Sequence, residues 1–430
     1  MERYDLLYRL YREFDTETLR EYQDFVDLFP PVDSRVALDH WQDANDELDR
    51  RKEEVREELP TGGVFAEVAA RADREGAFTA LDLLSAYGRA VNALVLDVDE
   101  TLRSAGGTDN EIPRDTLHVL TEFHEEGVPI VICTGQTLEN VKGFTIQGLG
   151  NELVHSGDVS IVYEAGTGVF TPGHGSRTKQ LLYDDLDGSI RAVFDEIRSR
   201  VLPDASEEIR RGCHLQGNEF NVTLKPNFET GSDRAAAVID AGLVYLLDLL
   251  GEAVVGHLDV GEGNDAAPSD VGDDAESVAS GAAWARAFYT RVDPEIQGVL
   301  ETEGATSPVE PADVPAAVRE VFERIDVAYY HADAAEIGSR ELNKVAGVEA
   351  ALDVLEIEDP FVLVMGDSKS DLRVMRWAEE RDAGIAAAPE HASADVLEHV
   401  MDTDDLVFKK GQSASLLRTV FVMNLLARIE

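Results

Sequence analysis

The fold of this chain is decided by residues 93–102, which read Ala-Leu-Val-Leu-Asp-Val-Asp-Glu-Thr-Leu. The first four residues form a short apolar run typical of a buried parallel strand. Asp97 and Asp99 follow, and side chains two positions apart in an extended segment point the same way. Burying two like charges side by side costs free energy. A Mg²⁺ ion would offset their repulsion and would also bind a substrate phosphate group. In a chain this acidic, chance or a plain turn also explains the motif by itself.

Two more apolar runs end in residues that can carry chemistry. They are residues 128–133, followed by Thr134 and Gly135, and residues 361–365, followed by Gly366, Asp367, Ser368, Ser370 and Asp371. With a helix predicted near residues 114–126, this order indicates an α/β fold with a Rossmann-like doubly wound parallel sheet. The site of such a sheet lies beyond the carboxyl ends of its strands.

Each of these fragments has two interpretations. Thr134 and Gly135 can present a hydroxyl and backbone N–H groups to a phosphate, or they can begin a helix as an ordinary cap. Asp367 and Asp371 can hold a cation, or they can cap the helix that follows them. Lys344, at the start of an apolar helix, can neutralise a phosphoryl group or can be a solvated surface lysine.

Taken in order, the fragments resemble the four motifs of the haloacid-dehalogenase-like (HAD) hydrolase superfamily. The motifs read Asp97-x-Asp99-x-Thr101, Thr134-Gly135, Lys344 and Gly366-Asp367-x-x-x-Asp371. The resemblance covers residues 91–155 and 335–430. It implies a phosphatase core, with the rest of the chain as additions to it.

The resemblance also implies roles for single residues. Asp97 would be the nucleophile that forms an aspartyl phosphate, and Asp99 would act first as general acid and then as general base. Thr134, Gly135 and Lys344 would hold the phosphoryl oxygens. Alternating acid and base roles suit a displacement that is split into two steps.

A Mg²⁺ cofactor is implied as well. Its ligands would be the Asp97 carboxylate, the backbone carbonyl of Asp99 and Asp367. Asp371 and Ser368 would lie just outside this set, with Asp371 steadying a water molecule or Lys344. The metal and the lysine would offset the negative charge of the phosphate.

Three positions depart from the pattern of these relatives. Glu100 stands where a small residue or glycine is more common, Gln136 stands where arginine is common, and Ser370 stands where asparagine is frequent. None of the three has a catalytic role in the family.

The position of the long insertion predicts the domain organisation. Residues 103–113 leave room only for a short flap, whereas residues 156–335, between the second and third motifs, resemble a type IIB α+β cap. Residues 91–155 and 336–430 would form the core. A Gly-, Asp-, Ser- and Ala-rich stretch over about residues 261–281 predicts a flexible acidic loop in the cap.

Relatives with this cap include sugar-phosphate phosphatases, so a sugar phosphate is the expected kind of substrate. Asn218, Asn221, Thr223 and Lys225 lie on or near one predicted strand and could bind sugar hydroxyl groups. The alternative is a solvated face of a sheet, which we favour.

Residues 1–90 predict helices, from hydrophobic residues at helical spacing. A breaker at Pro30 and Pro31 and another at residues 60–63 divide the region into three helical stretches. The region is interpreted as a helical extension packed on the main domain, with an oligomerisation or regulatory module as the alternative. A homo-oligomer formed through these helices is therefore a second expectation.

Composition limits the partners. The chain of 430 residues has 38 Lys+Arg against 85 Asp+Glu, a formal net charge of −47. Only eight of the basic residues are lysines. This balance opposes binding to nucleic acid or an anionic membrane and predicts a halophilic protein, interpreted as archaeal. The start of the sequence lacks a signal-peptide pattern and no apolar run has the length of a membrane span, so we expect a cytoplasmic protein. Cys133 and Cys213 are too few for a disulfide framework.

The sequence therefore predicts a Mg²⁺-dependent phosphoric monoester hydrolase that acts on a small phosphorylated metabolite. Two alternatives remain: a phosphomutase of the same superfamily, and a non-catalytic phosphate-binding or regulatory protein. The complete acidic set at positions 97, 99, 367 and 371 argues against the second alternative, because a binder needs no nucleophile and acid pair.

Overall fold

The computed structural model describes residues 2–29, 35–103, 112–258 and 274–429. Its helices in these residues are α1 (Glu2–Glu13), α2 (Thr16–Leu28), α3 (Arg35–Glu58), α4 (Gly62–Arg71), α5 (Arg74–Tyr87), α6 (Arg114–Glu125), α7 (Leu138–Leu149), α8 (Asn151–Val154), α9 (Gly188–Arg200), α10 (Glu207–Gly212), α11 (Ser232–Leu258), α12 (Asp274–Thr290), α13 (Pro294–Thr302), α14 (Ala316–Phe322), α15 (Lys344–Val354), α16 (Lys369–Glu380), α17 (Ala394–Asp402) and α18 (Ser413–Ala427).

Its strands are β1 (Ala93–Leu96), β2 (Ile130–Cys133), β3 (Val159–Tyr163), β4 (Gly168–Phe170), β5 (Lys179–Leu181), β6 (Cys213–Gln216), β7 (Asn221–Pro226), β8 (Ile325–Tyr330), β9 (Ala334–Ser339), β10 (Val362–Met365), β11 (Gly384–Pro389) and β12 (Leu406–Phe408). The chain divides into two compact units, Met1–Gln180 with Gly347–Glu430, and Leu181–Ala346.

The first unit is built on an eight-stranded sheet in the order β12-β11-β10-β1-β2-β3-β4-β5. Neighbouring strands from β12 to β3 run parallel, and β4 pairs with β3 in the antiparallel sense. Every residue of β1, β2 and β10 is buried, as expected for strands covered on both faces. The predicted α/β fold with a largely parallel sheet is confirmed.

The N-terminal helices α1 to α5 belong to the same unit and share its hydrophobic core. The last helix, α18, contributes much of that core, with Leu417, Val420 and Leu426 fully buried. Its Asn424 side chain accepts a hydrogen bond from the Val91 backbone N–H at 2.8 Å and donates one to the Val91 carbonyl at 2.7 Å. The stretch predicted as one helix after residue 63 is two helices, because Asp73 caps the start of α5.

The second unit is of α+β type. Its four-stranded antiparallel sheet has the order β6-β7-β9-β8. Alternate residues of these strands, such as Val222, Leu224 and Ile337, are buried in one core with α11. The long apolar helix α11 packs there because it is hydrophobic over much of its surface.

The structure corrects three details of the predicted insertion. The prediction began it at residue 156, but β3 pairs in register with β2, so the chain up to Gln180 belongs to the first unit. The prediction ended it at residue 335, but β9 pairs with β7 and β8, and the chain up to Ala346 belongs to the second unit. The predicted acidic loop lies outside the described residues up to position 273, and residues from Asp274 onward form α12. Small residues allow this, since Gly281 packs directly on Gly251 of α11. No helix in the described residues has the length and apolar character needed to cross a membrane.

A candidate active site at the carboxyl ends of three parallel strands

The central strand β1 sets the position of the site. Leu96 is paired with Ile132 of β2 on one side and with Met365 of β10 on the other. The Asp97 N–H then donates to the Met365 carbonyl at 2.9 Å, which is the last ladder contact before the strands end. Adjacent strands are about 4.8 Å apart. Residues that follow β1, β2 and β10 therefore emerge together at one edge of the sheet.

Three carboxylates meet at this edge. Asp97, Asp367 and Asp371 each place one oxygen within 4.8 Å of the oxygens of the other two. Asp97 is 7% exposed and Asp371 is 3% exposed. Three anionic groups this close together, two of them buried, repel one another, and a cation among them would offset that repulsion. Hard carboxylate oxygens are what Mg²⁺ takes as ligands, so the donor set fits this ion.

Asp371 is held in place by the first turn of α16. Its Oδ2 accepts hydrogen bonds from the Ser368 backbone N–H at 3.1 Å and from the Ser368 hydroxyl at 2.6 Å, which forms a capping box at the start of the helix. Asp371 thus takes part in capping α16, which is one of the two interpretations of this residue. The sequence placed Asp371 outside the metal ligands, whereas the structure places an oxygen of Asp371 as close as those of Asp97 and Asp367.

Asp367 also contacts Thr101 of the first motif. The Thr101 hydroxyl, on a residue only 5% exposed, donates to Asp367 Oδ1 at 3.5 Å. The Asp367 carbonyl also accepts the Ser393 N–H at 2.9 Å, which fixes the backbone beyond β10. The loop after β1 and the loop after β10 are therefore coupled around the carboxylates.

Asp99 lies outside the three-carboxylate group formed by the described residues, and two other side chains hold it. Its Oδ1 accepts from Arg103 Nε at 3.0 Å and from Nη2 at 2.8 Å, and its Oδ2 accepts from Gln136 Nε2. Arg103 is 6% exposed, whereas the side chain of Asp99 is 41% exposed. Arg103 and Gln136 thus orient the Asp99 carboxylate, which remains partly exposed to solvent. Sequence reasoning noted Gln136 only as a departure and missed Arg103.

The loop after β2 brings the second motif to the same edge. Thr134 is 1% exposed, and its hydroxyl oxygen accepts the Gln136 N–H at 3.1 Å. Because that contact uses the oxygen as acceptor, the hydroxyl hydrogen can still donate to a ligand. A Cβ atom on Gly135 would meet nothing within 4 Å, so the space beside its backbone is open. An anion can approach this backbone closely.

Glu100 sits in the left-handed region with φ of 57°. This is the physical reason why glycine suits the position. Its side chain lies 3.4 Å from His391 Nε2 and 3.4 Å from Lys410 Nζ, and its carbonyl lies 3.0 Å from His391 Nε2. The contacts with His391 and Lys410 hold the turn in place.

Lys344 is the first residue of α15 and is only 4% exposed. The surface-lysine alternative is thus excluded, because a solvated lysine would be exposed. Three positions later, Gly347 packs so closely that an added Cβ would lie 2.3 Å from Val162 Cγ1, next to the end of β3. The role of Lys344 in binding phosphate stays a prediction.

The residues predicted to bind substrate in the second unit have separate functions. The side-chain oxygen of Asn218 accepts the Phe220 N–H at 2.8 Å, which is a turn-forming contact. Lys225 Nζ lies 3.4 Å from Asp333 in an exposed ion pair. Asn221 and Thr223 belong to a tight polar group.

That polar group includes a residue that the sequence did not indicate. Glu336 of β9 accepts from Asn221 Nδ2 at 3.0 Å and from the Thr223 hydroxyl at 2.8 Å. Thr223 and Glu336 are direct partners across the β7–β9 ladder. The three side chains lie on the sheet face opposite to Val222, Leu224 and Ile337. The alternation of polar and apolar residues in β9 was the available signal.

Among known proteins, only solved structures were found to be similar to this chain. No protein-family model matches the chain, and no curated protein matches it. Solved structures similar to it include the sucrose-phosphatase from Synechocystis sp. in complex with sucrose and phosphate, at 11% identity and a TM-score of 0.43, covering 78% of this chain and 99% of that one. A HAD/COF-like hydrolase from Plasmodium vivax is 16% identical with a TM-score of 0.42, covering 80% and 99%.

A further similar structure is a HAD subclass IIB sugar phosphatase, at 16% identity and a TM-score of 0.41, covering 78% of this chain and 100% of that one. At identities and scores this low, none of these neighbours assigns an activity or a substrate to this chain.

Proposed function

We propose that this protein is a Mg²⁺-dependent phosphoric monoester hydrolase of the HAD type that works through an aspartyl-phosphate intermediate. The observation that carries the proposal is the convergence of Asp97, Asp367 and Asp371 at the carboxyl ends of β1 and β10. A group of three carboxylates, two of them buried, is unfavourable as structure and useful for phosphoryl transfer.

Asp97 is the proposed nucleophile. Its backbone is fixed by the ladder contact with Met365, so its carboxylate has a defined position for in-line attack on phosphorus. The oxygen of the substrate alcohol leaves as the Asp97–phosphorus bond forms. Water then attacks the aspartyl phosphate and regenerates the free carboxylate.

Asp99 is the proposed proton carrier. It donates a proton to the leaving alcohol in the first step and takes one from water in the second. Arg103 and Gln136 keep both of its oxygens oriented. Its exposed side is where a leaving group and then a water molecule can reach it.

Asp97, Asp367 and Asp371 would hold Mg²⁺, which supplies charge neutralisation for the transferring phosphoryl group. Thr134 and Gly135 are proposed to bind phosphoryl oxygens through a hydroxyl and backbone N–H groups. Lys344 is proposed to add a positive charge to this set. In a chain with a net charge of −47, such local cations are needed to attract a phosphate at all.

The proposed substrate class is a small hydroxylated phosphomonoester such as a sugar phosphate. The support is the resemblance of residues 156–335 to a type IIB cap, since relatives with that cap include sugar-phosphate phosphatases. We place the reaction in a salt-rich cytoplasm on the basis of the acidic composition.

The decisive experiment compares wild type with Asp97→Asn on an aryl phosphate with Mg²⁺ at high salt. We expect a loss of at least about 1,000-fold, because the amide cannot act as the nucleophile. The matched control is Asp359→Asn, whose side chain is 86% exposed and pairs only with Arg89 among the described residues. Full activity in the Asp97 variant, with an unchanged circular dichroism spectrum, would remove the assignment.

A panel of phosphorylated metabolites then separates hydrolysis from isomerisation. Release of inorganic phosphate from a hexose 1-phosphate supports the hydrolase. Conversion to the 6-phosphate without release would instead assign the phosphomutase alternative.

A further inference from the structure

A second group of potential metal ligands lies away from the strand ends, where the N-terminal helices meet α6. It consists of Asp27 in α2 and of His118 and Glu122, one turn apart in α6. Each offers one ligand atom, and these atoms lie within 4.8 Å of one another. Among the described residues, only this group and the Asp97 group have this property.

The distances suit a small cation. His118 Nε2 lies 3.1 Å from Asp27 Oδ2 and 4.0 Å from Glu122 Oε1. Zinc binds nitrogen and oxygen ligands at about 2.0–2.2 Å, so tetrahedral ligands stand roughly 3.3–3.6 Å apart. Shifts of a few tenths of an ångström would complete such a site. A site with an imidazole ligand favours a transition cation over Mg²⁺.

One buried polar atom at this place lacks a partner in the described part of the chain. His118 Nε2 is not that atom, because it pairs with the Asp27 carboxylate at 3.1 Å. Gln23 is 7% exposed, and its Oε1 has no donor there. The Gln23 carboxamide is directed at Asp27, with its nitrogen 2.8 Å from both carboxylate oxygens. Buried polar atoms without partners are uncommon and point to a missing ligand.

Both carboxylates are already oriented by outer donors. Gln23 holds Asp27, and Arg71 donates to Glu122 Oε1 from Nε at 2.8 Å. Metal-binding carboxylates usually have such second contacts, which fix the direction of the ligand oxygen. The arrangement is therefore more than three acidic or basic side chains that happen to be near one another.

The charges around this group are close to balanced. Arg71 also pairs with Glu67, which in turn pairs with Lys52 and Arg56, and Arg418 pairs with Asp24 next to the cluster. Four carboxylates thus face four cationic side chains: Asp24, Asp27, Glu67 and Glu122 against Lys52, Arg56, Arg71 and Arg418. A cation would bind here in place of the proton on His118, whose pKa is raised by its hydrogen bond with Asp27, because the neutral imidazole is the form that binds metals.

We propose that Asp27, His118 and Glu122 bind one divalent transition cation of the Zn²⁺ class, which ties the N-terminal helix α2 to α6. Water completes the coordination. The ion is structural, and it adds a connection between the helical region and the sheet-bearing core that hydrophobic packing alone does not provide. This site is independent of the proposed phosphatase activity.

The test uses the full-length chain, stripped of metal with a chelator and kept in high salt with excess Mg²⁺ to fill the Asp97 group. Co²⁺ is then titrated as the spectroscopic probe, and Zn²⁺ is used to displace it. We expect one equivalent of Co²⁺ with the visible absorption of a nitrogen-ligated tetrahedral ion. We expect Zn²⁺ to displace it and to raise the melting temperature.

The variant His118→Asn should weaken Co²⁺ binding by about 100-fold or more and abolish the rise in melting temperature. The matched control is His124→Asn on the same helix, whose ring lies 3.8 Å from a single carboxylate, Asp158. It should bind Co²⁺ as wild type does. If His118→Asn is unfolded without metal, Glu122→Gln takes its place in the same titration.

Three results would overturn the proposal: no Co²⁺ equivalent in wild type under these conditions, equal binding by wild type and a folded ligand variant, or loss of binding in the His124 control. A stability that changes with pH but not with added cation would assign the cluster to an ion-pair network instead. Because none of these measurements uses turnover, they stand apart from the outcome of the phosphatase assay.

Discussion

A Cβ atom placed on Gly366 would lie 2.3 Å from the Cβ of Asp371. The end of β10 and the first turn of α16 approach so closely that only glycine fits between them. This close approach lets the carboxylate of a helix residue reach the same place as carboxylates from two strand ends. Gly366 is therefore part of the architecture of the site although it contributes no functional group.

Replacing Gly366 with alanine should displace Asp371. We expect a rise in the Mg²⁺ concentration for half-maximal activity and a fall of about 10–100-fold in kcat/KM, measured by steady-state hydrolysis of an aryl phosphate. Gly143→Ala is the control, since a Cβ there meets nothing within 4 Å. Wild-type Mg²⁺ dependence in the Gly366 variant would contradict this role.

Removing the guanidinium that holds Asp99 should impair proton transfer more than binding. For Arg103→Met we expect kcat to fall by about 10–100-fold on an alkyl phosphate, and less on para-nitrophenyl phosphate, whose leaving group needs no proton. The exposed pair of Arg211 with Glu207 provides the control variant Arg211→Met. Equal losses on the two substrates would indicate a general structural defect.

The turn at Glu100 allows a test of backbone strain against ion pairing. Glu100→Ala keeps the positive φ and loses the contacts with His391 and Lys410, so it should lower the free energy of unfolding by up to about 1 kcal/mol. Glu100→Gly loses the same contacts but relieves the strain, and should stay within about 0.5 kcal/mol of wild type. Denaturant unfolding at moderate salt measures both. A glycine variant less stable than the alanine variant would refute the strain.

Cys213 should be an unreactive thiol in the folded protein. Burial raises its pKa to about 11, so the thiolate fraction at pH 8 is on the order of 0.1%. In a Cys133→Ser background we expect slow reaction with a disulfide reagent, with a rate that rises about tenfold per pH unit until the pH nears 11. The absorbance change on reaction with the reagent, measured over a range of pH, gives the dependence of this rate on pH. A rate independent of pH would mean that local opening, not ionisation, limits access.

Local sequence was sufficient to predict which residues lie at the carboxyl ends of the strands. Asp97, Thr134 and Asp367 each follow an apolar run, and parallel strands bring their carboxyl ends to the same edge whatever the rest of the chain does. The chemistry of that edge could therefore be predicted without knowing the pairing. Asp371 was expected outside the metal ligands, and its place among the three carboxylates depends on the close approach of α16 to the end of β10 at Gly366.

Contacts between distant segments could not be predicted in this way. Glu336 meets Asn221 and Thr223 only because β7 pairs with β9, more than 100 positions away. Asp27 meets His118 only because α2 packs on α6. The helix that starts at Asp274 was missed because its first residues are small and polar. Gly281 of this helix packs closely on Gly251 of α11, and composition does not reveal such a contact.

The central position of β1 also has a consequence for how the chain acquires its structure. One neighbour of β1 is β10, and the Phe361 N–H bonds to the Asn92 side chain across 269 positions of sequence. During synthesis, one side of β1 thus stays without its partner until nearly the whole chain has been made, and α18 completes the core later still. Such long-range pairing is intrinsically slow and leaves an open strand edge for a long time. The strong negative charge of the growing chain is well suited to keeping these unfinished molecules apart.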